Sequence, residues 1–463
     1  MDIEKIKALV KDKTAERINI YAKFDESQRY YDNKNDITNR NNGESKLNEK
    51  GKNDPLRAAD NRVSNNFHQP IVDQKAAYLA TVAPQIDVGD DHDLNDKLLD
   101  ILGDGFSNTL FDLVVDASNA GLVWLHYWID SETQTFRFGI IPAGECTPVY
   151  DNFLEKNVVG MLRTYKKLDQ DSGKNIYIHE YWNDSEVQMF QSQPYGETGS
   201  RLFQEYQGVD IIDVSTQETV GTSNTRQHEL GKVPFIAFRN NKRERRDLDK
   251  YKGLIDVYDK VYNGFVNDVD DVQQVILVLT NYSGTNLGEF RRQLVEDKAI
   301  KLETSDSYEK AGVDTLTIDI PIEARESLLN NTRDAIYYNA QAVNPNKIEL
   351  GNNTGVAIKM LYSQLELKAG VVEKQFRIGI SHLVRAILRH LGISDSDKRK
   401  ITQTWTRTSI TNNVEQATVL QQLADVSSIE TVAKNNPLVD DWQEEVKRLK
   451  EERETGHDSY EPQ

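Results

Sequence analysis

Apolar residues recur at helical spacing near the start of the chain, where Ile3, Ile6, Val10, Ile18 and Tyr21 outline an amphipathic helix. Residues 32–61 then hold Asn, Asp, Lys, Gly and Glu with hardly an apolar side chain. Such a stretch buries too little surface to offset the entropy of ordering it, so the pattern predicts a long mobile loop. Order resumes at Asn65, where an Asn cap and Pro70 near the first turn predict a helix to about Thr81. Leu94, Leu98, Ile101, Leu110, Leu113 and Val114 predict a second helix behind it.

Gly121 switches the period from helical to alternating. The runs 122–129, 135–141, 158–165, 176–182 and 186–190 are β-rich with turn residues between them, and 233–238 adds one more strand. This is the pattern of an antiparallel sheet joined by hairpins, not of a βαβ series.

The period then returns to helical. Residues 247–281 predict one long helix carrying Leu254, Ile255, Tyr258, Val261, Tyr262, Phe265, Val269, Val272, Ile276 and Leu279. At ~1.5 Å per residue it spans roughly 50 Å. Mixed short elements occupy 282–320, and Pro321 opens a helix over 322–342. Pro345 cannot continue that helix, and Gly351, Asn352, Asn353 and Gly355 suit positive φ, so 344–355 reads as a projecting loop. Thr354 is placed to cap a much longer helix over 356–391. Gly370 and Gly379 lie inside it at ~1 kcal/mol each relative to Ala, which points to a bend or to close packing. A strand at 400–406 and helices at 413–425, 428–435 and 440–454 complete the pattern.

At 463 residues the chain is long enough for two or three cores, and no run approaches the ~18 to 20 apolar residues of a membrane helix. A lone cysteine, Cys146, excludes a disulfide framework and points to a cytoplasmic setting. The net charge of −18 argues against a protein that binds DNA simply by neutralising phosphates. Little enzymatic chemistry is visible. Asp90, Asp91, His92 and Asp93 supply ligand-type side chains, but adjacent residues rarely converge on one ion, so a solvated turn is the better reading. Residues 351–359 lack the Gly-Lys-Ser/Thr ending of a phosphate loop and follow a helix. No Gly-x-Ser-x-Gly or His-x-x-x-His is present, and Cys146 reads as packing in a strand-ending turn. Trp124, Trp128 and Trp182 read as sheet residues, and the basic run Lys242, Arg243, Arg245 and Arg246 as a solvated face.

Several stretches are informative through their order. They are NRVSNNFHQPIVDQKAAYL at 61–79, then Gly121 with IPAGE at 141–145 and PVYD at 148–151, then GKVPFI at 231–236 ending in Asn240 and Asn241. LIDVYD at 254–259 follows with Asn267 and Asp268, then TGVAIK at 354–359 with LELKA at 365–369. Last come TRTSITNNVE at 406–415 and SSIET at 427–431. In this order, over most of the chain, they resemble the portal proteins of tailed bacteriophages, above all of siphophages that infect Gram-positive bacteria.

The resemblance implies an α+β, portal-like fold. Its parts would be an α/β wing over 1–245 with the polar loop 32–61, a first stem helix at 246–281 and a small α/β clip at 282–320. A second stem helix at 321–343, a tunnel loop at 344–355, a long bent tunnel helix at 356–392, a wing strand at 393–408 and a helical crown at 409–463 would follow. It also implies a non-enzymatic homo-oligomeric ring, typically of twelve subunits, at one vertex of the virion capsid, assembled in the host bacterial cytoplasm without cofactor, metal or membrane. Double-stranded DNA would be driven in by the terminase large subunit and leave by the same channel. A head-completion adaptor and the major capsid and scaffolding proteins would be further partners, with the clip meeting terminase and then adaptor.

By position, Asn346, Lys347, Glu349, Asn352 and Asn353 would be the tunnel-loop residues facing DNA. Arg325 and Arg333 would be channel-lining candidates on the stem, though they suit ion pairs with Glu326 or Asp334 across subunits equally well. Leu254, Val261 and Phe265 would pack subunits together. The acidity then acquires a role, since a wall that does not grip phosphates lets DNA slide. Two other classes compete: a divalent-dependent nucleic-acid-processing enzyme using Asp90, Asp91 and Asp93, and a head-to-tail adaptor ring, against which the length argues.

Overall fold

The N-terminal periodicity forms α1 (Ile3–Tyr31), which continues well past the predicted apolar positions. The computed structural model of the chain describes residues 2–38, 59–89, 92–168, 173–192, 203–212, 219–272, 276–280, 312–316, 321–347, 355–407, 427–434, 436, 439 and 442–456. Most of the polar segment 32–61 therefore lies outside the described residues, as do Thr354 and the helix expected at 413–425.

Next come α2 (His68–Ala80), β1 (Gln85–Asp87), α3 (His92–Leu102) and α4 (Phe106–Ala120). Two expectations are corrected here. No Asn caps α2: Phe67 holds the cap position, and the Asn65 side chain instead reaches Asp259 Oδ1 at 2.8 Å. The single helix expected through Leu94 and Val114 is two, because Gly103 sits at φ +70°, a left-handed conformation that ends α3.

The alternating region gives β2 (Leu122–Ile129), β3 (Phe136–Ile141), β4 (Cys146–Tyr150), β5 (Val158–Leu168), β6 (Asn175–Trp182) and β7 (Glu186–Ser192). The short strands β8 (Phe203–Glu205), β9 (Val209–Ile212), β10 (Thr219–Ser223) and β11 (Thr225–Gln227) lead to β12 (Phe235–Arg239). All pair antiparallel, as the hairpin pattern predicts. One sheet runs β12-β2-β3, and a second runs β11-β7-β6-β5-β4 with β8 also on β7.

Strand β2 is covered on both faces from Val123 to Tyr127, while Trp128 near its end is exposed. Val123, Leu125 and Tyr127 enter the main core with α4, while Trp124 joins Trp182, Met161 and Cys146 on the other side. Cys146 is thus a buried residue inside β4, not part of a turn, and burial pushes its thiol well above the usual range.

Helix α5 (Lys252–Val272) then begins, and here the expectation of one helix to residue 281 fails. Ile276–Thr280 is a strand, β13, paired antiparallel with β14 (Gly312–Leu316). The run Ile-Leu-Val-Leu has no polar position to mark a helical period, and with Thr280 it is rich in β-branched side chains, so strand pairing wins. After it come α6 (Ile322–Ala340), α7 (Gly355–His390), β15 (Thr402–Thr404) paired with β1, α8 (Ile429–Lys434) and α9 (Trp442–Gly456).

The 36-residue α7 is the spine of the main core, burying Leu365, Val372, Phe376, Ile380, Leu383 and Ile387. Its two glycines have different causes. A Cβ at Gly379 would lie 2.7 Å from the Phe238 ring, itself stacked edge-on against Phe376, so the absent side chain lets α7 lie against β12. A Cβ at Gly370 would meet nothing within 4 Å. Gly379→Ala is therefore expected to lose about 1–3 kcal/mol to overpacking, while Gly370→Ala gains up to about 1 kcal/mol of helix propensity. Denaturant midpoints that move in the same direction for both variants would refute the distinction.

Candidate functional site

Lys75 and Lys368 occupy the apolar phase of their helices. Lys75 falls among Ile71, Val72, Ala76 and Leu79 of α2, and Lys368 among Leu365, Ala369 and Val372 of α7. Both reach the same oxygen, Asp247 Oδ2, at 2.7 Å and 2.9 Å. Lys75 also donates to Asn240 Oδ1 at 2.8 Å, and the Asn240 amide donates to Asp247 Oδ1 at 2.9 Å. Lys368 donates to the carbonyl of Ala340 at 2.9 Å, the negative end of α6. One buried carboxylate thus joins α2, α7, the end of α6 and the connector that opens α5.

Electrostatics follow from burial and charge count. Burial alone would raise the Asp247 carboxyl, but Lys368 and Lys75 hold it well below the usual range. Burial lowers both lysines despite the carboxylate, Lys75 to about 8. Next to them His68 is buried between the Tyr251 hydroxyl at 2.7 Å and Asn119 Oδ1 at 2.8 Å. The asparagine oxygen requires a proton on Nε2, so Nδ1 accepts from Tyr251. Burial lowers His68 to about 4, which keeps it neutral near pH 7.

From this root α5 and α6 run antiparallel. Lys250 approaches Gln341 at 3.4 Å, the Arg333 guanidinium donates to the Tyr258 hydroxyl at 3.0 Å, and Arg325 pairs with Asp268 at the far end. On another side of α5 the extended residues 61–65 lie along the helix. Asn65 binds Asp259, Val63 N–H donates to Asn263 Oδ1 at 2.6 Å, and Asn61 N–H to Asn267 Oδ1 at 2.7 Å. Two extended residues rise about 6.6 Å and one turn plus a fraction of helix about 6 Å, so the two repeats match. Arg246 fastens α1 to the same root through Ser27 Oγ at 3.1 Å, Glu26 at 3.0 Å and Asp249 at 2.6 Å. Of the basic run, Arg246 is therefore buried and structural, while Lys242, Arg243 and Arg245 are exposed.

The expected site residues fall as follows. Arg325 lies over the Phe265 ring at 5.6 Å as well as on Asp268, so both Arg325 and Arg333 are engaged by α5 of their own chain. Asp334 instead takes Lys347 at 3.0 Å and the Asn344 amide at 2.8 Å. Asn346 and Lys347 lie in a short 3-10 turn capped by Asn344. Glu349, Asn352 and Asn353 lie outside the described residues, as do Asp90 and Asp91, while Asp93 pairs with Lys97 at 2.6 Å. Leu254 packs into the cluster of Tyr30, Phe67, Tyr251 and Ile336, and Val261 and Phe265 are half-buried. Sequence reasoning passed over Lys75, Asp247 and Lys368. Their one signal was a lysine on the apolar phase of a helix.

The family model described as "Phage portal protein, SPP1 Gp6-like" matches residues 10–458, nearly the whole chain. The chain belongs to this family of phage portal proteins. It is 35% identical over 464 residues to the portal protein of Clostridium phage phiCD119, covering 98% of this chain and 96% of that one. It is 32% identical over 407 residues to the portal protein of Bacillus phage SPP1, covering 85% of this chain and 76% of that one. Among solved structures, a chain from the neck of an empty GTA particle, computed with C6 symmetry, aligns at TM-score 0.45 and 12% identity over 81% of this chain and 90% of its own. As a portal protein the chain is a virion component, and no helix among the described residues is long and apolar enough to cross a membrane.

Proposed function

We propose that the chain assembles into a ring at one vertex of the phage head, through whose channel double-stranded DNA passes during packaging and ejection. In this reading α5 and α6 form the stem, residues 273–320 meet the terminase large subunit and later the head-completion adaptor, and residues 344–354 face the channel axis. The protein acts as a conduit, not as an enzyme, and the motor is a separate protein.

The observation that carries the reading is how the 344–354 segment is mounted. Helix α6 ends at Ala340, Lys368 of α7 holds that carbonyl, and Asp247 holds Lys368. The helices on either side of the segment are therefore fixed to one another at a buried point. A segment slung between fixed posts can touch a moving polymer while the body stays rigid. Charge agrees with this: the chain carries −18 overall, and Lys347 at the start of the segment is already matched by Asp334. Phosphates then slide past without being gripped.

Deletion of residues 346–353 is the direct test. Rings of normal size by electron microscopy, with DNA per particle reduced at least about tenfold, are expected, because the posts remain while the contact is removed. Normal packaging by this variant would refute the assignment of the segment.

A further inference from the structure

Leu154 is fully exposed and Phe153 is 75% exposed, side by side at the tip of the hairpin between β4 and β5. The tip is rigidly shaped. Asp151 Oδ1 accepts the N–H groups of Phe153 at 3.2 Å and Asn157 at 3.0 Å, and Lys156 N–H donates to the Phe153 carbonyl at 3.1 Å. A pre-shaped loop loses little entropy when it docks, and an exposed apolar pair on it marks a contact surface. Lys156 stands beside the pair, exposed and without an acidic partner among the described residues.

Elsewhere on the chain is a depression of about 400 Å³ lined by Phe24, Asp112, Val115, Asp116, Ile140 and Pro142. Four of these supply an apolar floor. Asp112 and Asp116, one turn apart on α4, have no cationic partner among the described residues. Burial, with Asp112 nearby, raises the Asp116 carboxyl to about 6, as expected for a carboxylate lacking a neutralising charge. An apolar floor beside two carboxylates is complementary to two apolar side chains and a cation, which the tip carries. The tip cannot fill the depression of its own chain, because β4, about 17 Å long, separates it from Pro142.

We propose that Phe153 and Leu154 of one copy insert into this depression on the next copy, with Lys156 against Asp112 and Asp116. Because the two surfaces are different patches of one chain, the contact is head-to-tail and repeats around a closed ring. This rests on the ring reading above and adds to it the residues of one subunit contact.

The test uses the full-length chain carrying Leu154→Cys together with Asp112→Cys, oxidised and run without reductant. The native Cys146 is buried and does not compete. A ladder from dimer up to ring size is expected from the double variant and from neither single variant. Lys156→Glu, or Asp112→Lys with Asp116→Lys, is expected to reduce ring yield by about tenfold, and combining them to restore it. Wild-type rings with no ladder and unchanged yield in the charge variants would overturn the contact while leaving the ring standing. Charge variants that form rings normally but fail to enter particles would overturn it too, placing the tip against another virion protein. A wild-type chain that never forms rings would instead refute the ring reading itself.

Discussion

Asp247→Ala is expected to lower stability by about 3–5 kcal/mol, read as a large drop in denaturant midpoint at neutral pH. The substitution removes the only carboxylate that, among the described residues, touches two essentially buried lysines, Lys75 and Lys368. Among the described residues their ammonium groups then keep the Asn240 oxygen and the Ala340 carbonyl, which accept hydrogen bonds but carry no full charge. Asp247→Asn keeps the shape and is expected to be nearly as costly. Lys75→Met is the informative contrast, because it leaves one matched pair and places an apolar chain among Ile71, Ala76 and Leu79. It should cost much less than loss of the aspartate.

The sign of the pH dependence gives a second readout. Lys75 sits near 8 in the folded chain against 10.5 as its ordinary value, so the unfolded chain holds more protons between those values. Stability therefore rises with pH across that window and is lost again as pH falls through the folded value. Without Asp247 the attraction that supports both ammonium groups is gone, and the window opens at lower pH. The variant should recover more than the parent on going from about pH 7 to pH 9. A parallel pair of stability curves would show that Asp247 does not set the lysines' charge.

Gly121→Ala is the second large effect, expected at about 3 kcal/mol or more from the sum of left-handed backbone strain and overpacking. Gly121 has φ +86°, and a Cβ there would lie 2.1 Å from the carbonyl oxygen of Glu244. That carbonyl cannot retreat easily. Asn240 N–H donates to the Gly121 carbonyl at 2.9 Å and Asp247 N–H to the Ser118 carbonyl at 2.9 Å, so connector and helix end are laced together. Gly231→Ala is the control, since it also has positive φ, +65°, but open space around it. It should cost only the strain, roughly 1–2 kcal/mol. Equal losses at the two sites would mean that the contact with Glu244 relaxes freely.

The sequence made long helices and hairpins legible because their periods persist. Thirty-six residues of α7 leave no competing pattern, and each β-run from 122 to 190 is bounded by turn residues. Boundaries failed where the period is short. Ile276–Leu279 is apolar throughout, so nothing in it separates a last helical turn from a strand; the partner at Gly312–Leu316 decides. The ionic root was hidden for another reason. Lys75, Asp247 and Lys368 are far apart in sequence, and a single lysine or aspartate normally signals a wet surface. Likewise, Asn61 reads as the end of a featureless polar stretch and Asn65 as a helix cap, whereas both bind α5.

The antiparallel rungs between α5 and α6 have a mechanical corollary. Cross-links near the root, at Tyr258–Arg333 and at Asp268–Arg325 stop the helices sliding past one another, so they behave as one rod. Between the first and last rung that rod is about 27 Å long. A tilt of about 5° at the buried root displaces the far end by roughly 2 Å, the scale of a helix shift at a subunit interface. Lys368 belongs to the pivot and also grips the end of α6 from which the 344–354 segment departs. The geometry is that of a lever whose fulcrum is a single carboxylate, with Ala340 at the end of α6 on the short arm and the Asp268–Arg325 rung on the long one.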